Sequence, residues 1–240
     1  MGDDCYVANV GDSRAFMSID QGKRIVPLSR DHKPEDPEET ERIESNGGRI
    51  YQNQSYIPDP SPDSSSGQQT LIGPHRVFPG RLSVARTIGD IEAKDVRYGG
   101  NPKVVTATPE IHSFKIKDNY DFIMIGCDGI FEKMENEDIL EKVWESAMRP
   151  EDLRNPTSVH ARCGLAVDGV LNGCVELKTL DNITAVLIGF QSFEKVIEKS
   201  RSTGIRVDNQ WLNSDDVETI YFDWNQEKLA MQESEHQTVM

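Results

Sequence analysis

Short apolar runs predict strands in the first half of the chain. Residues 5–19, CYVANVGDSRAFMSI, hold two such runs on either side of the Gly11-Asp12 pair, which tolerates a positive φ. They predict two strands, with Asp12 at the tip or at the bend between them. A further strand is predicted near Ile111 to Ile116.

Two stronger apolar runs are each punctuated by an aspartate. Residues 122–134, FIMIGCDGIFEKM, begin with four consecutive apolar residues, which is typical of a buried strand. Asp128 follows in a predicted turn of small residues. Residues 180–190, LDNITAVLIGF, predict another nearly continuous apolar strand, which begins just after Asp181-Asn182.

Capping residues and helical periodicity predict three helices. Asp36 and Pro37 are typical of a helix start, and Gly47-Gly48 follows at the expected end. Asn136 is predicted to cap a second helix, whose apolar residues recur on one buried face. A third helix is predicted over about 157–172, ending near Asn172-Gly173.

Composition divides the chain into a folded part and two polar parts. We expect a domain over residues 1–190, interrupted at 51–80 by a mobile surface loop or flap. That segment contains PDPSPDSSSGQQ, which has too little apolar surface to pack. Residues 191–240 are polar and acidic, and predict a loosely attached C-terminal extension.

Charge and cysteine content narrow the class of protein. The net charge of −15 repels phosphate backbones and acidic lipid headgroups, so nucleic acid and membrane are not expected as partners. No stretch has the length and apolarity of a signal peptide or membrane span. Four scattered cysteines indicate reduced thiols, and hence a cytoplasmic or nuclear location.

Asp128 and Asp181 are the first candidates for chemistry. Each lies at the end of a predicted strand, where a sheet holds a carboxylate rigidly enough to bind a hard divalent cation. Taken singly, each is more typical of a turn-forming aspartate. The pair gains weight if the two strands are neighbours.

Five segments in order resemble one family. VANVGDSRAFM, LSRDHKPEDPEETERIESNGGRI, RLSVARTIGDIEAK, FIMIGCDGIFEKM and LDNITAVLIGF are similar to motifs of the metal-dependent Ser/Thr phosphatases of type 2C, the PPM family. The resemblance spans residues 5 to 190. It implies an α+β fold: a four-layer sandwich of two antiparallel sheets flanked by helices, with the first strands absent from this chain.

The resemblance also implies the site residues. Asp128 and Asp181 match ligands of the first metal ion, and Asp12 matches an aspartate of a third metal site. Glu132 stands where the family commonly has aspartate. In the family, Mg²⁺ or Mn²⁺ ions activate a water that attacks phosphoserine or phosphothreonine in proteins. A monomer is expected.

Other conspicuous residues are expected to have mainly structural roles. His32, in RDHKP, is expected to be a structural residue at a helix start rather than a proton donor. Arg86 and Asp90 are expected to form an internal brace. His75 is either exposed or near a substrate.

The family's Asp-Gly-His-Gly-Gly signature, which supplies a bridging aspartate and the general-acid histidine, does not occur in these 240 residues. We therefore expect an N-terminally truncated phosphatase with no catalytic histidine, little activity by itself and exposed apolar strand edges.

Two alternatives remain open at this point. A catalytically inactive phosphatase-like module that binds a partner also fits the missing signature and Glu132. A calcium-binding protein fits poorly, since DGIFEKMENEDIL lacks the ligand spacing of an EF-hand.

Overall fold

The computed structural model describes residues 3–58, 68–149, 158–203 and 217–224. The chain divides into two compact units. The first, called here the sheet unit, comprises Met1–Asn9, Ser13–Arg30 and Ile111–Met240. The second, called the hairpin unit, comprises Val10–Asp12 and Asp31–Glu110.

The strands of the described residues are, in chain order, β1 (Asp4–Asn9), β2 (Arg14–Ile19), β3 (Arg24–Pro27), β4 (Arg49–Pro58), β5 (Gln68–Phe78), β6 (Glu110–Lys115), β7 (Tyr120–Gly126), β8 (Ala185–Gly189) and β9 (Glu218–Thr219). The helices are α1 (Pro37–Ser45), α2 (Ile91–Lys94), α3 (Asp128–Phe131), α4 (Asn136–Ala147), α5 (Val159–Glu176) and α6 (Gln191–Thr203). Within these described ranges, no helix is long and apolar enough to cross a membrane.

Five strands form the main sheet of the sheet unit, in the order β8-β7-β2-β3-β9. All neighbours are antiparallel except β3 and β9, which are parallel. β1 pairs with β6 in a separate sheet. The two strands predicted over residues 5–19 are therefore confirmed, and Gly11-Asp12 is a bend between two sheets rather than a hairpin tip.

The main sheet is covered on both faces. On one face, Phe16, Phe122 and Met124 pack with apolar residues of α4, α5 and α6. On the other face, Met17 and Ile123 pack with residues of β1 and β6. Helices, main sheet and second sheet thus form three layers, and the α+β class is confirmed.

Glycines set how closely α4 and α5 pack. A Cβ at Gly169 would lie 1.9 Å from Ser146 Oγ of α4, and one at Gly173 would lie 3.3 Å from Sδ of Met134, just before α4. The prediction that the helix ends near Gly173 was wrong, because this glycine serves helix contact instead. The helix continues to Glu176, and Ser158 caps its start by accepting from Ala161 N at 3.4 Å.

The prediction that residues 191–240 are loosely attached was also wrong for the described part. In α6, Phe193 and Ile197 are 0% and 3% exposed within the core. Their four-residue spacing places both on one helix face. Farther on, Phe222 and Trp224 pack against Phe114. A mostly polar segment is therefore held by a few large apolar side chains.

In the hairpin unit, the predicted surface loop at 51–80 is mostly an antiparallel hairpin of β4 and β5. The loop interpretation was wrong for these strands, because ladder hydrogen bonds order them although few of their side chains are buried. The rest of PDPSPDSSSGQQ, residues 59–67, lies outside the described residues.

The core of the hairpin unit contains Ile43 of α1, Val77 of β5 and Val104. As predicted, Asp36 caps α1 by accepting hydrogen bonds from Glu38 N and Glu39 N.

The predicted cap of α4, in the sheet unit, was wrong by one residue. Glu135 rather than Asn136 is the N-cap, and Asp138 accepts from Glu135 N at 3.0 Å.

Candidate functional site

Asp128 lies where β7 gives way to α3. The preceding strand is buried along most of its length, and Cys127 is the extended residue before the helical turn. The Asp128 side chain is half-buried, and its Oδ1 accepts from Gly129 N at 2.9 Å. The core strand therefore fixes the backbone that carries this carboxylate.

Asp181 lies in the turn before β8, where it is exposed. Its Oδ1 accepts from Asn182 N at 2.7 Å, as in the turns that aspartate commonly forms. Thr179 Oγ1 donates to Gly129 O at 3.1 Å, which ties the same turn to α3. Both carboxylates thus stand at the β7–β8 end of the main sheet.

The two turns are pressed together at Gly129. A Cβ on this residue would lie 2.2 Å from Asn182 O and 3.3 Å from Asp181 Cβ. Cys127 adds hydrogen bonds between the same two segments. Its N donates to Thr184 O at 3.2 Å, and its Sγ accepts from Thr184 N at 3.3 Å. A glycine is required here because no larger residue fits, and the approach brings the Asp128 and Asp181 segments side by side.

Glu132 is the C-cap residue directly after the one-turn helix α3. Its N donates to Asp128 O at 2.8 Å, and its side chain is exposed. Across the residues that the structure describes, no three His, Cys, Asp or Glu side chains form a group that could hold a metal ion. Two carboxylates still fit Mg²⁺ or Mn²⁺ chemically, since Mg²⁺ keeps several waters and often takes only one or two protein carboxylates.

Asp12 belongs to the hairpin unit and forms an ion pair with Lys33. The bend that carries it is fixed by Gly11, whose φ of +109° suits glycine. His32 is buried; its Nδ1 accepts from Gly11 N at 3.1 Å, and its Nε2 lies 3.5 Å from Glu110 Oε2. The expected structural role of His32 therefore fits its contacts, and it shapes the loop of Asp12.

Arg86 forms an internal brace as expected, but its partner is Glu39 rather than Asp90. Arg86 Nε donates to Glu39 Oε1 at 3.0 Å, and Arg42 Nη2 donates to Glu39 Oε2 at 2.6 Å. Burial works to raise the pKa of Glu39, but hydrogen bonds from the two arginines hold it below its ordinary value. Asp90 instead accepts from Thr87 Oγ1 at 2.6 Å. His75 is partly exposed and lies 3.5 Å from Glu35 Oε1.

Sequence reasoning also missed Asp121, a fully buried carboxylate in β7 of the main sheet. It accepts from Ser192 Oγ at 2.7 Å, and from Ser18 Oγ and Gly22 N at 3.0 Å. Burial raises the pKa of Asp121, although these hydrogen bonds oppose the rise. Its only sequence signal was a charge inside an apolar strand, and its contacts assign it to fastening a turn and α6.

Comparisons with known proteins agree on one family. The sequence model described as Protein phosphatase 2C matches residues 1–163. Probable protein phosphatase 2C 5 of Paramecium tetraurelia is 32% identical over 193 residues, covering 80% of this chain and 55% of the relative. Probable protein phosphatase 2C 60 of Arabidopsis thaliana is 30% identical, covering 78% and 44%. The chain therefore spans about half the length of these curated relatives.

Solved structures agree on the fold. The structure of a C. elegans sex determining protein superposes with a TM-score of 0.59 at 20% identity, covering 82% of this chain and 39% of that one. The crystal structure of a phosphatase from a pathogenic strain of Toxoplasma gondii gives a TM-score of 0.54 at 24% identity, covering 79% and 48%.

Proposed function

This chain belongs to the protein phosphatase 2C family, and on that premise we propose that it functions in metal-dependent hydrolysis of phosphoserine and phosphothreonine in proteins. The observation that supports the proposal is the close approach of the Asp128 and Asp181 turns at Gly129. It brings the segments of two carboxylates, which are hard oxygen donors, to one end of a rigid sheet.

Asp128 and Asp181 are the residues that hold a Mg²⁺ or Mn²⁺ ion in this proposal. When bound, such an ion lowers the pKa of a coordinated water and neutralises phosphate charge. The chain's own contribution is orientation: burial of β7 holds Asp128, and the Thr179–Gly129 hydrogen bond holds the turn of Asp181. Glu132 is proposed as a further ligand, and Asp12 of the hairpin unit is proposed as a ligand of a third metal ion; both rest on the family resemblance alone.

Mn²⁺ binding tests the site without requiring turnover. We expect calorimetric titration of the 240-residue chain with Mn²⁺ to detect binding that weakens at least about tenfold in Asp128→Asn and in Asp181→Asn. Asp118→Asn is the matched control, because Asp118 is an exposed aspartate of the same unit. Equal affinity in all four proteins contradicts the assignment of these ligands.

Phosphate release tests the activity. We expect the full-length natural protein to release phosphate from a phosphothreonine peptide only with Mn²⁺ or Mg²⁺, and Asp128→Asn to abolish that release. A natural protein with no metal-stimulated release refutes hydrolysis. It then favours the alternative of a catalytically inactive, phosphatase-like binding module.

A further inference from the structure

The hairpin of β4 and β5 carries positive charge in an acidic protein. The chain has a net charge of −15, yet the two strands contain no aspartate or glutamate. One side of the hairpin presents Arg49, Tyr51, Arg76 and Phe78, which we call the arginine face, and Arg81 follows shortly after the end of β5.

Strand register explains why these side chains lie together. Ile50 is paired with Val77, and both pack into the core of the hairpin unit. Side chains alternate between the two faces of a strand. The flanking pairs, Arg49 with Phe78 and Tyr51 with Arg76, therefore project from the opposite face. The face is thus the solvent side of a hairpin whose other side is anchored in a core.

The arginine side chains are held in place by uncharged partners. The Arg49 guanidinium stacks 4.6 Å above the Phe78 ring centre. Arg76 Nη1 donates to Arg81 O at 2.8 Å, which joins the strand to the following turn. Both contacts orient an arginine and leave its charge intact, so part of the ordering cost of binding is already met in the free protein.

No carboxylate of the described ranges forms a salt bridge with Arg49, Arg76 or Arg81. Other arginines of this unit differ, since Arg42 and Arg86 share the buried Glu39 and Arg97 pairs with Asp95. His75, which pairs with Glu35, is next to Arg76 in sequence and so faces the other side of the strand. Unneutralised guanidinium groups on a rigid support are suited to bind phosphate and carboxylate.

We propose that the arginine face binds a phosphorylated acidic segment of a protein, in an extended conformation, as a docking surface. The proposal rests on the proposed function, because it names the kind of protein that such a phosphatase acts on. Arg49 and Arg76 are diagonal neighbours across the strand pair, about 7–8 Å apart at their Cα atoms. Alternate residues of an extended peptide are about 6.6 Å apart, so anionic side chains two residues apart match this spacing.

Peptide binding is tested by fluorescence anisotropy with the full 240-residue chain. The probe is a fluorescein-labelled peptide of the repeating form phosphoserine-glycine, with an unphosphorylated serine-glycine peptide beside it. EDTA is present, and salt is held at about 50 mM because screening weakens exposed ionic contacts. We expect the phosphorylated probe to bind and the unphosphorylated probe not to bind.

The matched variants separate this face from net charge. Arg49→Gln/Arg76→Gln is expected to raise the Kd of the phosphorylated probe about tenfold or more, since two charge-assisted hydrogen-bond donors are lost. Arg97→Gln/Lys103→Gln removes the same charge from exposed residues of the same unit and is expected to change the Kd less than about twofold. Arg49→Lys/Arg76→Lys keeps the charge but loses the planar fork, and an intermediate Kd is expected.

Several results overturn the proposal: no binding of the phosphorylated probe at about 1 mM protein, equal weakening in both glutamine variants, or equal affinity for a single-stranded RNA of the same charge. Circular dichroism checks folding, and if the glutamine variant is unfolded, unchanged affinity in the lysine variant overturns the proposal instead. Because EDTA removes metal ions and no turnover is needed, failure here is distinct from failure of the Mn²⁺ test of the proposed function.

Discussion

β7 of the sheet unit and the β4–β5 pair of the hairpin unit are both regular strands, but their side chains meet different environments. In β7 five consecutive residues, Tyr120 to Met124, are buried. In the hairpin, Tyr56 and Ile72 are 65% and 62% exposed, and among the side chains whose burial is described, those near Val77 reach a core. Side-chain burial stabilises the first, whereas backbone pairing orders most of the second. We therefore expect mutations in β7 to destabilise the protein more than mutations in the hairpin, although both regions form regular strands.

The most severe test of this contrast is Phe122→Ala in β7. Phe122 is fully buried and contacts the rings of Phe16, Trp144 and Phe193 at centroid distances of 6.4, 5.9 and 5.5 Å. We expect the free energy of unfolding, measured with urea, to fall by about 3–5 kcal/mol, because the substitution leaves a cavity. A loss below about 1 kcal/mol contradicts the central position of this strand.

Gly129→Ala tests the end of β7, where packing serves the candidate site. The added Cβ meets Asn182 O at 2.2 Å, so one of the two turns is displaced. We expect a loss of about 1–3 kcal/mol in unfolding free energy and weaker Mn²⁺ binding by calorimetry. Gly164→Ala is the control: nothing lies within 4 Å of its Cβ in α5, and alanine there is expected to stabilise by about 0.5–1 kcal/mol. Normal Mn²⁺ affinity in Gly129→Ala contradicts the site.

Asp121→Asn tests the one charged side chain buried within β7. Asparagine keeps the shape but replaces one acceptor oxygen by a donor, so we expect a loss of about 1 kcal/mol near neutral pH.

The pH dependence of Asp121 has a definite sign. Because the folded pKa is raised above the ordinary value of 3.8, the folded state binds this proton more tightly than the unfolded state. The resulting stability is fully present below pH 3.8 and is lost as pH rises through the folded pKa. Urea unfolding across this window should show that fall in the natural chain relative to Asp121→Asn. Parallel curves refute a raised pKa.

The smallest effect is expected in the hairpin. Ile72→Thr keeps a β-branched residue at an exposed strand position. The unfolding free energy should change by no more than about 0.5 kcal/mol, since little apolar surface leaves a buried environment. A loss above about 2 kcal/mol shows that this part of the hairpin is covered by other residues and removes the contrast with β7.

The same contrast explains which elements were predictable. The apolar run of β7 and the Asp36 cap of α1 carry local signals, and both predictions were confirmed. The hairpin was missed because the polar composition of residues 51–80 gives no sign of hydrogen bonding between two backbones. α6 was missed because its few buried apolar residues, including Phe193 and Ile197, are separated by polar residues. The Glu39 network was missed because Arg86 is 47 residues from Glu39 in sequence.

The candidate site was predictable in part. Asp128 and Asp181 were found from their positions at strand ends, and the structure brings their turns together. The arginine face was not found, because Arg49 and Arg76 become neighbours only through the register of two strands joined by a long connection.

By itself, the sequence determined the family, the buried strands and the residue types available for chemistry, because motifs, apolar runs and caps act over short stretches of chain. Only the tertiary structure decided that Gly129 must lack a side chain, that α6 belongs to the core and that Arg49 and Arg76 share one face. Each of these depends on which distant residue occupies the neighbouring space, and close packing and strand register fix that neighbour only once the chain has folded.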